Sequence, residues 1–174
     1  GSTATGRAIM AAAAPTLKKV FLELGGKSAA IVLDDADVAA SAGATAFAAC
    51  IHAGQGCALT TRLVVPRARY DEAVNAAAEA MASIGVADPA EPDAICGPVI
   101  SQAQRDRVEG YLRLAEQEGG RVVTGGKVID QPGFWVEPTV VADLDNASTL
   151  AQEEIFGPVL VVIPHDGDDD AVRI

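Results

Sequence analysis

Cysteine is scarce in this 174-residue chain, with only Cys50, Cys57 and Cys96. An odd count at irregular spacing argues against a disulfide framework and fits a reducing compartment, so a cytoplasmic location is expected. There is no CxxC pair and no His/Cys cluster, so no structural zinc site is suggested. No apolar run approaches the roughly 20 residues that a membrane-spanning helix needs. The alanine stretch Ala11 to Ala14, followed by Pro15 and two lysines, is too short for a signal peptide. Positive charge is outnumbered, and the formal net charge of −11 repels phosphate backbones and anionic headgroups. Neither nucleic acid nor membrane is therefore expected as a partner. Aromatic residues make up only 4% of a chain that is 49% hydrophobic, much of it Ala and Val, a composition suited to close helix–sheet packing. The length allows one domain with a sizeable core, and no internal repeat is present.

The order of elements points to an α/β fold. Ser2 or Thr3 caps a helix running toward Ala14, where Pro15 ends it. Val20 to Leu24 reads as a strand stopped by Gly25-Gly26, and Ala29 to Leu33 as a buried strand. Asp37 caps a long alanine-rich helix to about His52, broken by Gly54-Gln55-Gly56. Thr61 to Val65 is β-branched and strand-like, and Tyr70 to Ile84 is an amphipathic helix. A proline-bearing connection over 85–100 leads to Ser101, which caps a helix from Gln102 to about Glu118. Arg121 to Thr124, Trp135 to Val141 (interrupted by Pro138) and Val159 to Ile163 read as extended. Strands alternating with helices imply an open, mostly parallel sheet with helices on both faces. In such sheets catalytic groups gather at the carboxyl ends of the strands.

Two residues carry chemistry on their local sequence. Cys57 stands in Gly54-Gln55-Gly56-Cys57-Ala58, where glycine lets the backbone turn and leaves the thiol approachable as a nucleophile. Its own amide could face an oxyanion at the attacked carbon. A small buried hydrophobe is the competing reading for any free cysteine, and it is the favoured one for Cys50 and Cys96. Glu23, between Leu22 and Leu24, would be desolvated there and so become a stronger general base. A plain carboxylate paired with Lys27 is the alternative. A third patch, Glu153-Glu154-Ile155-Phe156-Gly157-Pro158, could simply enter a strand, or could present a carboxylate to a sugar diol beside a ring. His52 is expected to answer the dipole of the helix before it, and His165, in an acidic loop, to be solvated.

In their order and separation, the runs Gly1-Ser2-Thr3-Ala4-Thr5-Gly6, Leu22-Glu23-Leu24-Gly25-Gly26-Lys27, Gly54-Gln55-Gly56-Cys57 and Glu153-Glu154-Ile155-Phe156-Gly157-Pro158 resemble the aldehyde dehydrogenase superfamily over essentially the whole chain. The resemblance favours Gly1-Ser2 as native sequence rather than a tag remnant. It implies oxidation of an aldehyde to a carboxylic acid with NAD or NADP. Cys57 would form a thiohemiacetal and then a thioester, and Glu23 would activate the deacylating water. Glu154 would hold the nicotinamide ribose with Phe156 beside the ring. Gly1, Ser2 and Leu24 would approach the nicotinamide half, and Gln104 would reach the cofactor. It also implies that residues 1–174 are a catalytic domain truncated at both ends. The nucleotide-binding domain, an Asn that supplies the second oxyanion donor, and the oligomerisation segment would all lie elsewhere. The isolated domain is then expected to be inactive, and the full-length protein a homodimer or homotetramer. His52 stands where many relatives have Asn. A non-catalytic scaffolding domain and a cofactor-independent thiol esterase are the competing functions.

Overall fold

The computed structural model describes residues 1–174. Helix α1 (Thr3–Ala13) is capped by the Ser2 hydroxyl, which accepts from the Thr5 N–H. A short turn through Pro15 ends it, and the chain then runs without regular structure through Gly25-Gly26 into strand β1 (Ser28–Ile31). Helix α2 (Val38–Cys50), capped by Asp37, leads through a tight turn at Ile51–Gly54 to strand β2 (Thr60–Pro66). Helices α3 (Tyr70–Ile84) and α4 (Gln102–Gln117) follow, the latter capped by Ser101. Strand β3 (Arg121–Thr124) and the small antiparallel pair β4 (Val128–Ile129) and β5 (Trp135–Val136) come next, then β6 (Thr139–Ala142). A short helix α5 (Thr149–Gln152), strand β7 (Val159–His165) and helix α6 (Asp168–Arg173) complete the chain.

The main sheet has the order β1-β2-β7-β6-β3. Its first four strands are parallel, in the register Ser28↔Thr60, Arg62↔Val161 and Thr139↔Val159. This is the expected α/β class, a mostly parallel sheet flanked by helices. The central strands are apolar on both faces: Leu63, Val64, Val65 and Leu160 to Val162 are fully buried, as a sheet covered on two sides requires. Small residues let α2 lie close, with Ala42, Ala46 and Ala49 in one continuous core with Val74, Ala77 and Met81 of α3.

Five expectations are corrected. Val20 to Leu24 forms no strand, because no neighbour offers it a ladder. Ala29 to Leu33 is not a buried strand, because β1 is an edge of the sheet and leaves Ile31 46% exposed. At the opposite edge β3 runs antiparallel to β6, with only β4 and β5 and no crossover helix between them. Helix α2 ends at Cys50, two residues before His52, which already has a left-handed backbone (φ 53°). His165 is buried rather than solvated: it closes β7, where Nε2 meets the Val32 carbonyl at 2.9 Å and Nδ1 lies 3.1 Å from both the N–H and the carbonyl of Gly167.

Candidate active site

The three motifs meet at one edge of the sheet, and it is the amino edge. Glu23 to Lys27 leads into β1, Cys57 lies just before β2, and Glu154 to Pro158 leads into β7. The expected carboxyl-edge location is therefore wrong, because each motif sits in the loop that enters its strand rather than the loop that leaves it. The carboxyl edge instead carries a polar groove of about 890 Å³ between Arg67, Tyr70, Asp143 and Asp166, remote from Cys57.

Backbone proximity holds the motifs together. A Cβ at Gly26 would lie 3.4 Å from the Cys57 carbonyl oxygen, so the Gly25-Gly26 turn runs against the nucleophile loop. The Gly26 N–H donates to Glu154 Oε1 at 3.2 Å. A Cβ at Gly25 would fall 2.2 Å from Glu154 Oε2, so only a bare backbone admits the carboxylate at that spot. Oε2 makes no hydrogen bond within the chain and is free to accept one from a bound group. Cys57 is exposed in the turn that Leu59 N–H closes on the Gly56 carbonyl (3.3 Å), and its own N–H has no partner in the chain. Cys50 and Cys96 are buried, as packing residues should be. Each thiol faces the other, which pushes Cys50 up and draws Cys96 down.

Glu23 is exposed, so the expected desolvation between Leu22 and Leu24 does not occur, and it makes no ion pair, because its segment runs over the surface unpaired. The alternative pairing with Lys27 does not form. Lys27 turns inward, and its ammonium nitrogen is buried without a partner. Burial first, and then the nearby Arg62 cation, lower its pKa to about 8 against an opposing pull from Glu154. Gly1, Ser2 and Leu24 do cluster: the Gly1 amine donates to the Glu23 carbonyl (2.9 Å), and the Leu24 side chain covers Gly1 and Gly6. Gln104 reaches the third motif, but through its backbone. Nε2 donates to the carbonyls of Ile155 (3.0 Å) and Phe156 (2.8 Å).

Two further residues in this arrangement escaped the sequence reading. Arg107 donates to the Glu154 carbonyl (2.8 Å) and to the Tyr111 hydroxyl (3.0 Å), and Tyr111 in turn donates to Glu153 Oε2 (2.5 Å). Gln104, Arg107 and Tyr111 recur at helical spacing on α4, and that polar stripe was the available signal.

With this geometry in view, comparison with known proteins is specific. The model of the aldehyde dehydrogenase family matches residues 1–174. Geranial dehydrogenase of Castellaniella defragrans is 47% identical over 174 residues, 100% of this chain and 36% of its own length. Lactaldehyde dehydrogenase of Escherichia coli is 41% identical over 175 residues, again 100% of this chain and 36% of its own. Among solved structures, an aldehyde dehydrogenase of Mycobacterium tuberculosis complexed with NAD+ superposes with a TM-score of 0.94 at 49% identity, over 99% of this chain and 36% of that one. Aldehyde dehydrogenase C of Pseudomonas syringae, a mutant complexed with NAD+ and octanal, superposes with a TM-score of 0.95 at 40% identity and the same coverage. The chain thus spans little more than a third of the relatives it matches.

Proposed function

The chain belongs to the aldehyde dehydrogenase family, and from that premise we propose that it is the thiol-bearing part of an enzyme that oxidises an aldehyde to a carboxylic acid with NAD or NADP. The observation that carries this reading is the convergence of the Glu23, Cys57 and Glu154 motifs at one sheet edge through glycine backbone.

Cys57, exposed and in a glycine-bounded turn, is the nucleophile that adds to the aldehyde carbon as a thiolate. Its unpartnered N–H is available to the oxygen that becomes negative in that addition. Glu23, exposed with both carboxylate oxygens free, is the base that takes a proton from water when the Cys57 thioester is hydrolysed. The donor set fits a nicotinamide nucleotide. Glu154 Oε2 is a free acceptor for a ribose hydroxyl, its carboxylate is fixed through Oε1 on Gly26, and Phe156 is half-buried beside it. The cofactor, when bound, supplies the acceptor for the hydride that leaves the thiohemiacetal carbon. Gly1, Ser2 and Leu24 line the approach from the side of α1. A homodimer or homotetramer is proposed for the longer protein, and cytoplasmic residence accords with the free thiols. No helix is long and apolar enough to cross a membrane.

Thiol chemistry and turnover test this reading together. Native chain treated with iodoacetamide near neutral pH is expected to alkylate at Cys57 at least about tenfold faster than at Cys50 or Cys96. The longer protein containing these residues should reduce NAD+ or NADP+ in the presence of an aldehyde, followed at the absorbance of the reduced nicotinamide. Cys57→Ala should abolish that signal, and the 174-residue chain alone should give none. Equal reactivity of the three thiols favours the scaffolding alternative. Ester hydrolysis that needs Cys57 but shows no cofactor reduction in the longer protein favours the esterase.

A further inference from the structure

Left-handed backbone at non-glycine residues is concentrated around this site. His52 (φ 53°) and Ala53 (φ 54°) precede Gly54 in the turn that carries Cys57, and Phe156 (φ 60°) lies in the Glu154 segment. Such residues stay left-handed only where their surroundings hold them. The two turns are in direct backbone contact. A Cβ at Gly54 would fall 2.1 Å from the carbonyl carbon and oxygen of Gly157, and 2.5 Å from the Pro158 nitrogen. Helix α4 braces this contact from behind. A Cβ at Gly157 would meet Val108 Cγ2 at 2.5 Å. One helical turn before Val108, part-buried Gln104 donates to the carbonyls of Ile155 and Phe156. On the other side Gln55 donates to the His52 carbonyl (3.3 Å) and accepts from the Ile100 N–H (3.0 Å).

We propose that Gln104 is a positioning residue for the nucleophile loop: by holding Phe156 in its left-handed turn it seats Gly157 against Gly54 and so sets where Cys57 stands. The carboxamide nitrogen has two N–H groups, and both are spent on carbonyls that bracket the strained residue. With them removed, Phe156 can relax to negative φ, Gly157 withdraws, and the Ile51–Gly54 turn loses the surface it rests on. The proposal deepens the reading of Cys57 as nucleophile, but its test needs no turnover.

Amide hydrogen exchange and Cys57 alkylation on the 174-residue chain provide that test. Gln55 and Leu59 are the reporters, since their N–H groups bond the carbonyls of His52 (3.1 Å) and Gly56 (3.3 Å). In Gln104→Leu, exchange across residues 54–59 is expected to accelerate at least about tenfold while Leu63 to Val65 of β2 stay protected. The Cys57 alkylation rate should shift at least about threefold. Gln102→Ala, an exposed neighbour that binds only Asp106, should change neither. Gln104→Glu keeps the side-chain length, removes the N–H donors, and carries the same test if the leucine variant does not fold. Acceleration confined to residues 155–159, a uniform rise that includes β2, or an unchanged Cys57 rate would each overturn the proposal. A longer protein that proved not to be a dehydrogenase would leave these exchange results standing, so the two readings fail separately.

Discussion

Single residues at this site are defined by which polar atoms find partners. Glu23 and Cys57 keep theirs free, whereas Lys27 buries a cation beside a second one. Arg62 donates through Nε to the Lys27 carbonyl (3.1 Å) and through Nη1 to Asn146 and the Ile174 carbonyl, so its cation stays beside Lys27 and only Glu154 opposes the pair. A lysine lowered from 10.5 to about 8 makes stability depend on pH in a definite direction. Above about 8 the folded chain sheds the proton, while the unfolded chain keeps it until near 10.5. The unfolded state therefore binds more protons in that window, and stability rises with pH across it. Below it the folded state carries the desolvated charge in full. Lys27→Met should stabilise the chain at pH 7 by about 1–3 kcal/mol and abolish the rise between pH 8 and 10.5. Urea unfolding at several pH values checks both expectations. The sequence showed a lysine after two glycines and suggested a salt bridge. It could not show that the glycine turn aims the side chain inward, because that depends on where β2 and the Glu154 segment lie.

Elements were legible in proportion to how local their causes are. Helix α3 was read to the residue and α4 to within one, because period and caps are written in consecutive residues. The Val20 to Leu24 segment reads as a strand and is none, because a strand needs a neighbour that sequence does not name. His165 was misread for the same reason. Its partners are Gly167 nearby and Val32 far away in the chain, and only the β1-β2-β7 order brings Val32 to it. Nε2 faces only the Val32 carbonyl and therefore donates to it, while Nδ1 lies 3.1 Å from both the N–H and the carbonyl of Gly167. The ring thereby ties the end of β7 to the end of β1 across β2. His165→Ala would leave a buried carbonyl and a half-buried N–H unpaired beside a cavity. It should cost about 3 kcal/mol, seen as a lower denaturation midpoint at unchanged m-value.

At the scale of the whole molecule, a packed core coexists with apolar side chains left open to solvent. Leu17 and Phe21 are 93% and 90% exposed, and Met10 and Ile100 are also largely open, although the sheet between the helices is dry. Met10 and Leu17 line one surface hollow, and apolar side chains open to this degree favour association. The net charge of −11 opposes it. The 174-residue chain should therefore self-associate in sedimentation as concentration rises, more strongly at high salt where repulsion is screened. Leu17→Ser with Phe21→Ser should reduce the association without altering the unfolding free energy by more than about 0.5 kcal/mol.

The sequence by itself determined the α/β class, most element boundaries and the four motifs, since these depend on neighbours in the chain and on residue types that chemistry restricts. Tertiary structure alone decided that the motifs meet at the amino edge of the sheet. It also decided that Gly54 rests on Gly157, that Gln104 grips backbone at Phe156, and that Lys27 points inward. These are contacts between segments tens of residues apart, and which glycine backs onto which is settled by strand order and by the close approach of two backbones.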